Sequence, residues 1–222
     1  MRYHQKENKH EQVVLGRAHE KGGNEYMGKL TFKGGIHPYE GKELAKNQPV
    51  EKYLPKGDMV YLMSQHIGAP SVPCVKKGDQ VLAGQKIADA GGFVSVPQHA
   101  SVSGTVKGIE KRLNATGAMV DAVIVDNDQQ YQEVEFVPAA LEDLTKEEIL
   151  NRIKEGGVVG MGGAGFPTHV KLAPKDPSKI EYVLVNGAEC EPYITSDYRR
   201  MLEEPEKVVE GLKVILKLFD SA

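Results

Sequence analysis

Tryptophan is missing altogether, and cysteine occurs only twice in 222 residues. Cys74 and Cys190 stand far apart with no C-x-x-C pair. That excludes a disulfide framework and, within one chain, a cysteine-ligated iron–sulfur cluster or a four-cysteine zinc site. Long hydrophobic runs are absent as well. No apolar stretch approaches the roughly 20 residues that span a bilayer, and the opening MRYHQKENKHEQ lacks the apolar segment of a secretory signal. The expected compartment is the cytoplasm. A strong charge of either sign is also lacking, and a formal net charge of −3 gives no general attraction to nucleic acid or acidic lipid. The 7 histidines are scattered without H-x-x-x-H spacing, so each is expected at the surface or in a hydrogen bond rather than on a metal.

With 40% hydrophobic residues, the chain is long enough for one large or two small domains with their own cores. Residues 1–28 are polar, show no sustained period, and read as a tail or a loosely attached arm. Leu30 and Phe32 then alternate like a short strand before the Gly34-Gly35 turn and the His37-Pro38 break. His37 is expected as a turn residue.

Residues 29–137 form the first expected domain. From Asp58 to Asp126, short β-type runs alternate with glycine at close intervals: Met59 to Met63, Val72 to Val75, Gln80 to Leu82, Lys86 to Ala88, Val94 to Val96, Thr105 to Ile109 and Ala122 to Val125. Val134 to Val137 finishes the series. This pattern predicts an all-β barrel or sandwich. Within it, APSVPCVKKGDQVLAGQKIADA and VPQHASVSGTVKGI resemble the two halves of a biotinyl/lipoyl-like barrel-sandwich hybrid. Carrier domains of that kind display a lysine at the tip of the central hairpin. Here the hairpin, Gly91 to Gln98, has none. The carrier role is excluded, and a rigid docking or spacer module remains. Lys76 and Lys77 are expected in solvent, and Cys74, among apolar neighbours, as a buried thiol.

After Pro138-Ala139-Ala140, residues 138–222 read as an incomplete α/β domain, making the whole chain α+β and multi-domain. Thr145 and Glu148 have the spacing of a capping box for a helix that runs to about Glu155, where Gly156 and Gly157 stop it. There follows the densest glycine run in the chain, GGVVGMGGAGFPTHVK from Gly156 to Lys171. Glycine leaves room for a ligand at the main chain, and Pro167 suits the first turn of a helix, whose N-terminus could face an anion. A flexible linker also favours glycine, but Val158, Val159, Met161, Ala164 and Phe166 call for packing.

Glu181 to Val185 is an apolar, β-rich run expected as a buried strand. It leads into NGAECEP, Asn186 to Pro192. Two carboxylates and an amide at a strand end fit the place where open α/β sheets hold ligands, and they also fit a polar turn with a helix cap. Two helices close the chain, one from about Thr195 to Leu202 and one from Pro205. The second carries Val208, Val209, Leu212, Ile215, Leu216 and Phe219 at helical spacing, expected as core.

FKGGIHP, the lysine-less barrel-sandwich region, GMGGAGFPTHVK and VNGAECEPYITSDYRRM together resemble the N-terminal half of RnfC, a component of the Rnf electron-transport complex, over nearly everything after residue 28. The loop and the NGAECEP segment also resemble the flavoprotein subunit of respiratory complex I, whose pattern reads G-R-G-G-A-G-F-P-T and N-A-D-E-x-E-P. The resemblance implies a peripheral subunit on the inner, cytoplasmic face of the cell membrane that binds FMN non-covalently and exchanges electrons with NAD(H). The family complex couples electron flow from reduced ferredoxin to NAD⁺ with export of sodium ions or protons. Its partners would be the other Rnf subunits, including membrane-embedded ones, with ferredoxin indirect and nucleic acid excluded. Carried over by position, Gly160, Gly162 and Gly163 would let the backbone approach the flavin. Lys171, Asn186 and Glu189 would hydrogen-bond it, Phe166 would stack on the nucleotide of NADH, and Glu191 would orient it.

The implied chemistry is hydride transfer between nicotinamide and flavin with no side chain acting as acid or base. This sequence departs from the complex I pattern at Ala188, where that pattern has aspartate, and at Leu172-Ala173-Pro174, where it supplies a second aromatic. The 4Fe–4S clusters expected of the full-length family have no ligands in these residues. Two other readings stand beside this one: a non-catalytic docking module of the same complex, and a cobalamin-reducing flavoprotein of the microcompartment type. FKGGIHP favours Rnf over the latter.

Overall fold

The computed structural model describes residues 38–161 and 163–220. The chain divides into two units, Met1–Tyr39 and Glu40–Ala222; all that follows concerns the second. The arm at 1–28, the strand at Leu30 and Phe32, His37 and nearly all of FKGGIHP therefore lie outside the described residues, as does Gly162.

Seven strands build the β region: β1 Met59–Leu62, β2 Val72–Pro73, β3 Gln80–Val81, β4 Lys86–Asp89, β5 Gln98–His99, β6 Gly104–Leu113 and β7 Met119–Asn127. One sheet runs β1-β7-β6-β3 and a second runs β2-β4-β5, with every strand pair antiparallel. This is the barrel-sandwich hybrid expected. Between the sheets pack Tyr61, Met63, Val81, Ile87, Val102, Val106, Val123 and Val125. Burying each aliphatic chain contributes about 1.5–3 kcal/mol. β7 lies between two neighbours, and its Ala122, Val123, Ile124 and Val125 are all buried. Its residues therefore read as a continuous apolar run rather than an alternation.

Two expected strands do not form. Val94 to Val96 is irregular because side chains hold it in place of a ladder: Ser95 Oγ accepts from the Gly91 N–H at 2.9 Å and Ser71 Oγ donates to Val96 O at 2.9 Å. Val134 to Val137 is tied to the barrel at its start, by the Ala83–Glu133 bridge and the Val134 N–H to Ala83 O at 2.9 Å, and Phe136 and Val137 are exposed. Cys74 is exposed as well, which corrects its expected burial. Partial desolvation, with the charge of Asp89 beside it, still raises its pKa.

The C-terminal part holds α1 Lys146–Glu155, α2 Thr168–Lys171, α3 Ser196–Glu203 and α4 Pro205–Leu216. The Thr145–Glu148 capping box closes both ways at the start of α1. Ile149, Leu218 and Phe219 form a second core, against which Ile153, Leu172, Ile180, Val183 and Ile215 pack. Of the expected stripe, Ile215 packs against this core and Phe219, just past α4, lies in it, while Val208, Val209, Leu212 and Leu216 are half-buried.

The strand expected at Glu181 to Val185 does not form. In this segment Val183 is turned to the core, while Tyr182, Leu184 and Val185 are 79%, 91% and 58% exposed. A strand needs a neighbour for its N–H and C=O groups, and no described residues pair with it. Residues 40–50 run along α3 and the turn before it. The Tyr193 N–H donates to Glu40 O at 2.6 Å, Arg199 Nη1 to Lys46 O at 3.1 Å and the Val50 N–H to Glu203 Oε1 at 3.1 Å.

Candidate functional site

The glycine-rich stretch folds as a closed loop. Val159 and Pro167 form an antiparallel bridge. The Gly160 N–H donates to Phe166 O at 2.9 Å and the Thr168 N–H to Val158 O at 3.0 Å. Such a base is not that of a free linker. The helix it feeds, α2, has 4 residues, and Pro167 is its N-cap rather than a residue of its first turn. So short a helix offers little dipole, which corrects the expectation of an anion held at a helix N-terminus.

The loop's glycines divide by what surrounds them. Gly157 has φ 66° and its Cβ would lie 2.6 Å from Pro97 O; Gly165 has φ 62° and its Cβ would lie 3.0 Å from Gln65 O and His66 Cα. Both conformations favour glycine, and both let the loop lie directly on the barrel. Between these two contacts the Ile67 N–H donates to Ala164 O at 3.0 Å. Gly160 and Gly163 face open space: a Cβ on the first meets only the Phe166 backbone at 3.8 Å, and on the second nothing within 4 Å. Met161 and Phe166 are exposed beside them.

The second group of expected site residues follows the unpaired segment. Asn186 Oδ1 accepts the Ala188 N–H at 3.0 Å, closing a local turn. Glu189 Oε1 accepts from Ser196 Oγ and the Asp197 N–H, both at 3.0 Å, at the start of α3. Its Oε2 is buried without a hydrogen-bond partner among the described residues. Desolvation raises the Glu189 pKa, but the bonds from Asp197 and Ser196, a weaker pull from the Tyr198 amide and the Lys42 charge outweigh it and leave the carboxyl below its ordinary 4.5. Glu189 thus serves as a helix cap with one oxygen and keeps acceptor capacity on the other.

Glu191 is exposed, and its carbonyl oxygen accepts from Lys42 Nζ at 2.9 Å. Lys171 is exposed at the end of α2. The loop's hydrogen bonds run to its own base and to the barrel, whereas those of 186–197 run to α3 and to residues 40–50. Each half of the site is anchored by different neighbours.

A cleft of about 260 Å³ separates loop from barrel, lined by Tyr61, Gln65, His66, Gln98, His99 and Val159 among others. Its polar groups already pair with one another or with the barrel: Gln65 Nε2 donates to Gln98 Oε1 at 3.2 Å, and Tyr61 OH accepts the Ser101 N–H at 2.8 Å. It reads as a seam. Burial foremost, then the Lys86 charge, holds His99 below the ordinary imidazole value of 6.5, against the opposing pull of Glu155. Burial and the Lys154 charge do the same to His169 on α2, against a backbone contact with Phe93 of the barrel hairpin.

The chain matches two known families in turn. Residues 30–130 match the RnfC barrel sandwich hybrid domain, and residues 153–222 match the Nuo51 FMN-binding domain. Its curated relatives are RnfC proteins. It is 44% identical over 193 residues to the C component of a proton-translocating ferredoxin:NAD(+) oxidoreductase complex of Clostridium ljungdahlii, an alignment that takes in 86% of this chain and 42% of that protein. Against the C component of the Na(+)-translocating ferredoxin:NAD(+) oxidoreductase complex of Acetobacterium woodii the identity is 47% over 190 residues, covering 84% and 43% respectively. The C component of the ion-translocating oxidoreductase complex of Vibrio cholerae is 38% identical over 192 residues, covering 85% and 25%. The chain thus spans less than half the length of these relatives. Both groups of expected site residues fall within the FMN-binding match. Of the barrel residues that meet the loop, 96–99 open the VPQHASVSGTVKGI half of the barrel pattern while 65–67 carry no motif, and nothing in the linear sequence marked either as a partner of the loop.

Proposed function

We propose that this chain contributes part of an FMN and NAD(H) site to an ion-translocating ferredoxin:NAD⁺ oxidoreductase complex. The protein would lie on the cytoplasmic face of the membrane against membrane-embedded partner subunits, with ferredoxin an indirect electron donor. Among the described residues, no helix is long and apolar enough to cross a membrane, which accords with attachment through partners. The observation that carries the reading is the division of the glycines: Gly157 and Gly165 are filled in by the barrel, while Gly160 and Gly163 stand open beside the exposed Phe166.

The residues present suit a flavin. A carboxylate oxygen on Glu189 without a partner among the described residues calls for a donor, and a flavin mononucleotide brings hydroxyl and ring N–H donors. FMN, when bound, would supply hydride exchange with the nicotinamide and release of electrons one at a time. Gly160, Gly162 and Gly163 leave the main chain open to a close approach, and Lys171, Asn186 and Glu189 provide hydrogen bonds. Phe166 offers a face for the nucleotide of NADH, and Glu191 orients it. The protein's part is alignment and adjustment of the cofactor's potential.

Titrating FMN into the full-length protein, followed by quenching of flavin fluorescence, tests the reading. One equivalent is expected to bind. Glu189→Ala is expected to weaken binding about tenfold, in line with a charged hydrogen bond of about 1.5–3 kcal/mol. Absence of FMN binding by the full-length protein would overturn the assignment.

A further inference from the structure

We infer that the barrel is the template that holds the glycine-rich loop in shape, and that Ser71, a buried barrel residue far from the loop in sequence, is its positioning residue. The functional meaning of this role rests on the flavin reading above, whereas its geometry does not.

The loop touches the barrel through two short spans. Gln65 and His66 lie under Gly165, and Pro97 lies under Gly157, at distances where an added Cβ would reach 3.0 Å and 2.6 Å. Ser71, 3% exposed, ties both spans together. Its hydroxyl donates to Val96 O at 2.9 Å and accepts from Gln98 Nε2 at 3.1 Å, which fixes the residues on either side of Pro97. The same oxygen lies 3.2 Å from His66 Nε2, while His66 Nδ1 donates to Ile67 O at 3.0 Å. The Ser71 N–H donates in turn to Met63 O at 2.9 Å, and Met63 is buried in the barrel core.

The path from core to loop is therefore continuous: Met63, Ser71, then His66 and the Pro97 carbonyl, then Gly165 and Gly157. A network centred on a buried hydroxyl of this kind fixes one geometry, because a shift of the Ser71 oxygen leaves the Val96 carbonyl or the Gln98 amide without its partner. The loop's two packed glycines can follow that surface only while it stays in place. The open glycines are held between the packed ones, so their placement depends on the barrel.

The test uses the full-length protein and compares Ser71→Ala with Ser103→Ala. Ser103 is an equally buried serine whose hydroxyl donates to Asp128 and accepts from the Gln132 N–H, away from the loop. Amide hydrogen exchange is read at Ile67, Gly160 and Thr168, whose N–H groups hold the loop. Ser71→Ala is expected to speed exchange at these amides by about tenfold or more, with barrel amides such as that of Val106 unchanged, and to weaken FMN binding several-fold; Ser103→Ala leaves the loop amides as they were. If Ser71→Ala does not fold, Gln98→Met, which removes one arm of the network at similar volume, takes its place with the same outcomes. Loop amides at wild-type rates in the folded variant, or equal acceleration by Ser103→Ala, would overturn the inference. The exchange result needs no flavin, so a wild-type protein that fails to bind FMN would sink the flavin reading alone.

Discussion

A single Cβ separates two kinds of glycine in this loop. Gly157 combines a positive φ with a carbonyl only 2.6 Å from where a Cβ would stand. Gly157→Ala is expected to destabilise the fold by about 1–3 kcal/mol, read as a lower midpoint in thermal unfolding. Gly160→Ala, whose Cβ meets nothing nearer than 3.8 Å, is expected to leave stability within about 0.5 kcal/mol while weakening FMN binding in the full-length protein. An equal loss of stability in both variants would remove the distinction. The glycine run marked the loop as special in the sequence. Which of its glycines serve packing could not be read there, because Pro97 and Gln65 come to them from distant positions.

The elements meet at a seam where burial lowers the pKa of two imidazoles. His99 on β5 faces Lys86 of β4 and Glu155 of α1, and His169 on α2 faces Lys154 of α1 and the backbone at Phe93. Both lie below 6.5 in the folded chain, so an unfolded imidazole takes its proton first as pH falls. Their contribution is fully present above 6.5 and is lost as pH drops from there through their folded values. Glu148 and Glu189, whose carboxyls lie below 4.5, add a loss only in more acid solution. The thermal midpoint is therefore expected to fall between about pH 7 and about pH 5 in the wild type, and less so in a His99→Gln, His169→Gln double variant. Identical slopes would acquit the seam. The Lys86–Glu155 pair, 3.3 Å apart and half-exposed, adds at most about 1 kcal/mol.

Over the whole molecule, the barrel has a closed apolar core while the C-terminal part leaves Tyr182, Leu184 and Val185 exposed in an extended segment. Exposed apolar residues in a segment able to pair as a strand invite association. The 222-residue chain is expected to bind a hydrophobic dye and to exchange the amides of 181–185 freely, whereas a chain extended to the length of its relatives protects them. Equal, fast exchange in both would show that the segment needs no further strand. Val183 alone of the segment turns inward, so the buried strand expected from its apolar run is not what the structure holds.

The sequence by itself determined whatever depends on neighbours close along the chain. Most of the strands between Met59 and Asn127, the Thr145–Glu148 cap, the stop at Gly156 and the position of α4 rest on local propensity, turn chemistry and periodicity, and stand where those forces put them. The specific motifs GMGGAGFPTHVK and NGAECEP also carried the family resemblance before any coordinates. Tertiary structure alone decided what depends on approach between distant segments. It set Glu189 as the cap of α3, laid residues 40–50 along that helix, and gave Glu181 to Val185 no strand partner among the described residues. It also pressed Gly157 and Gly165 onto the barrel while leaving Gly160 and Gly163 open. Close contact and burial are properties of pairs of surfaces, and a linear pattern records only one member of each pair.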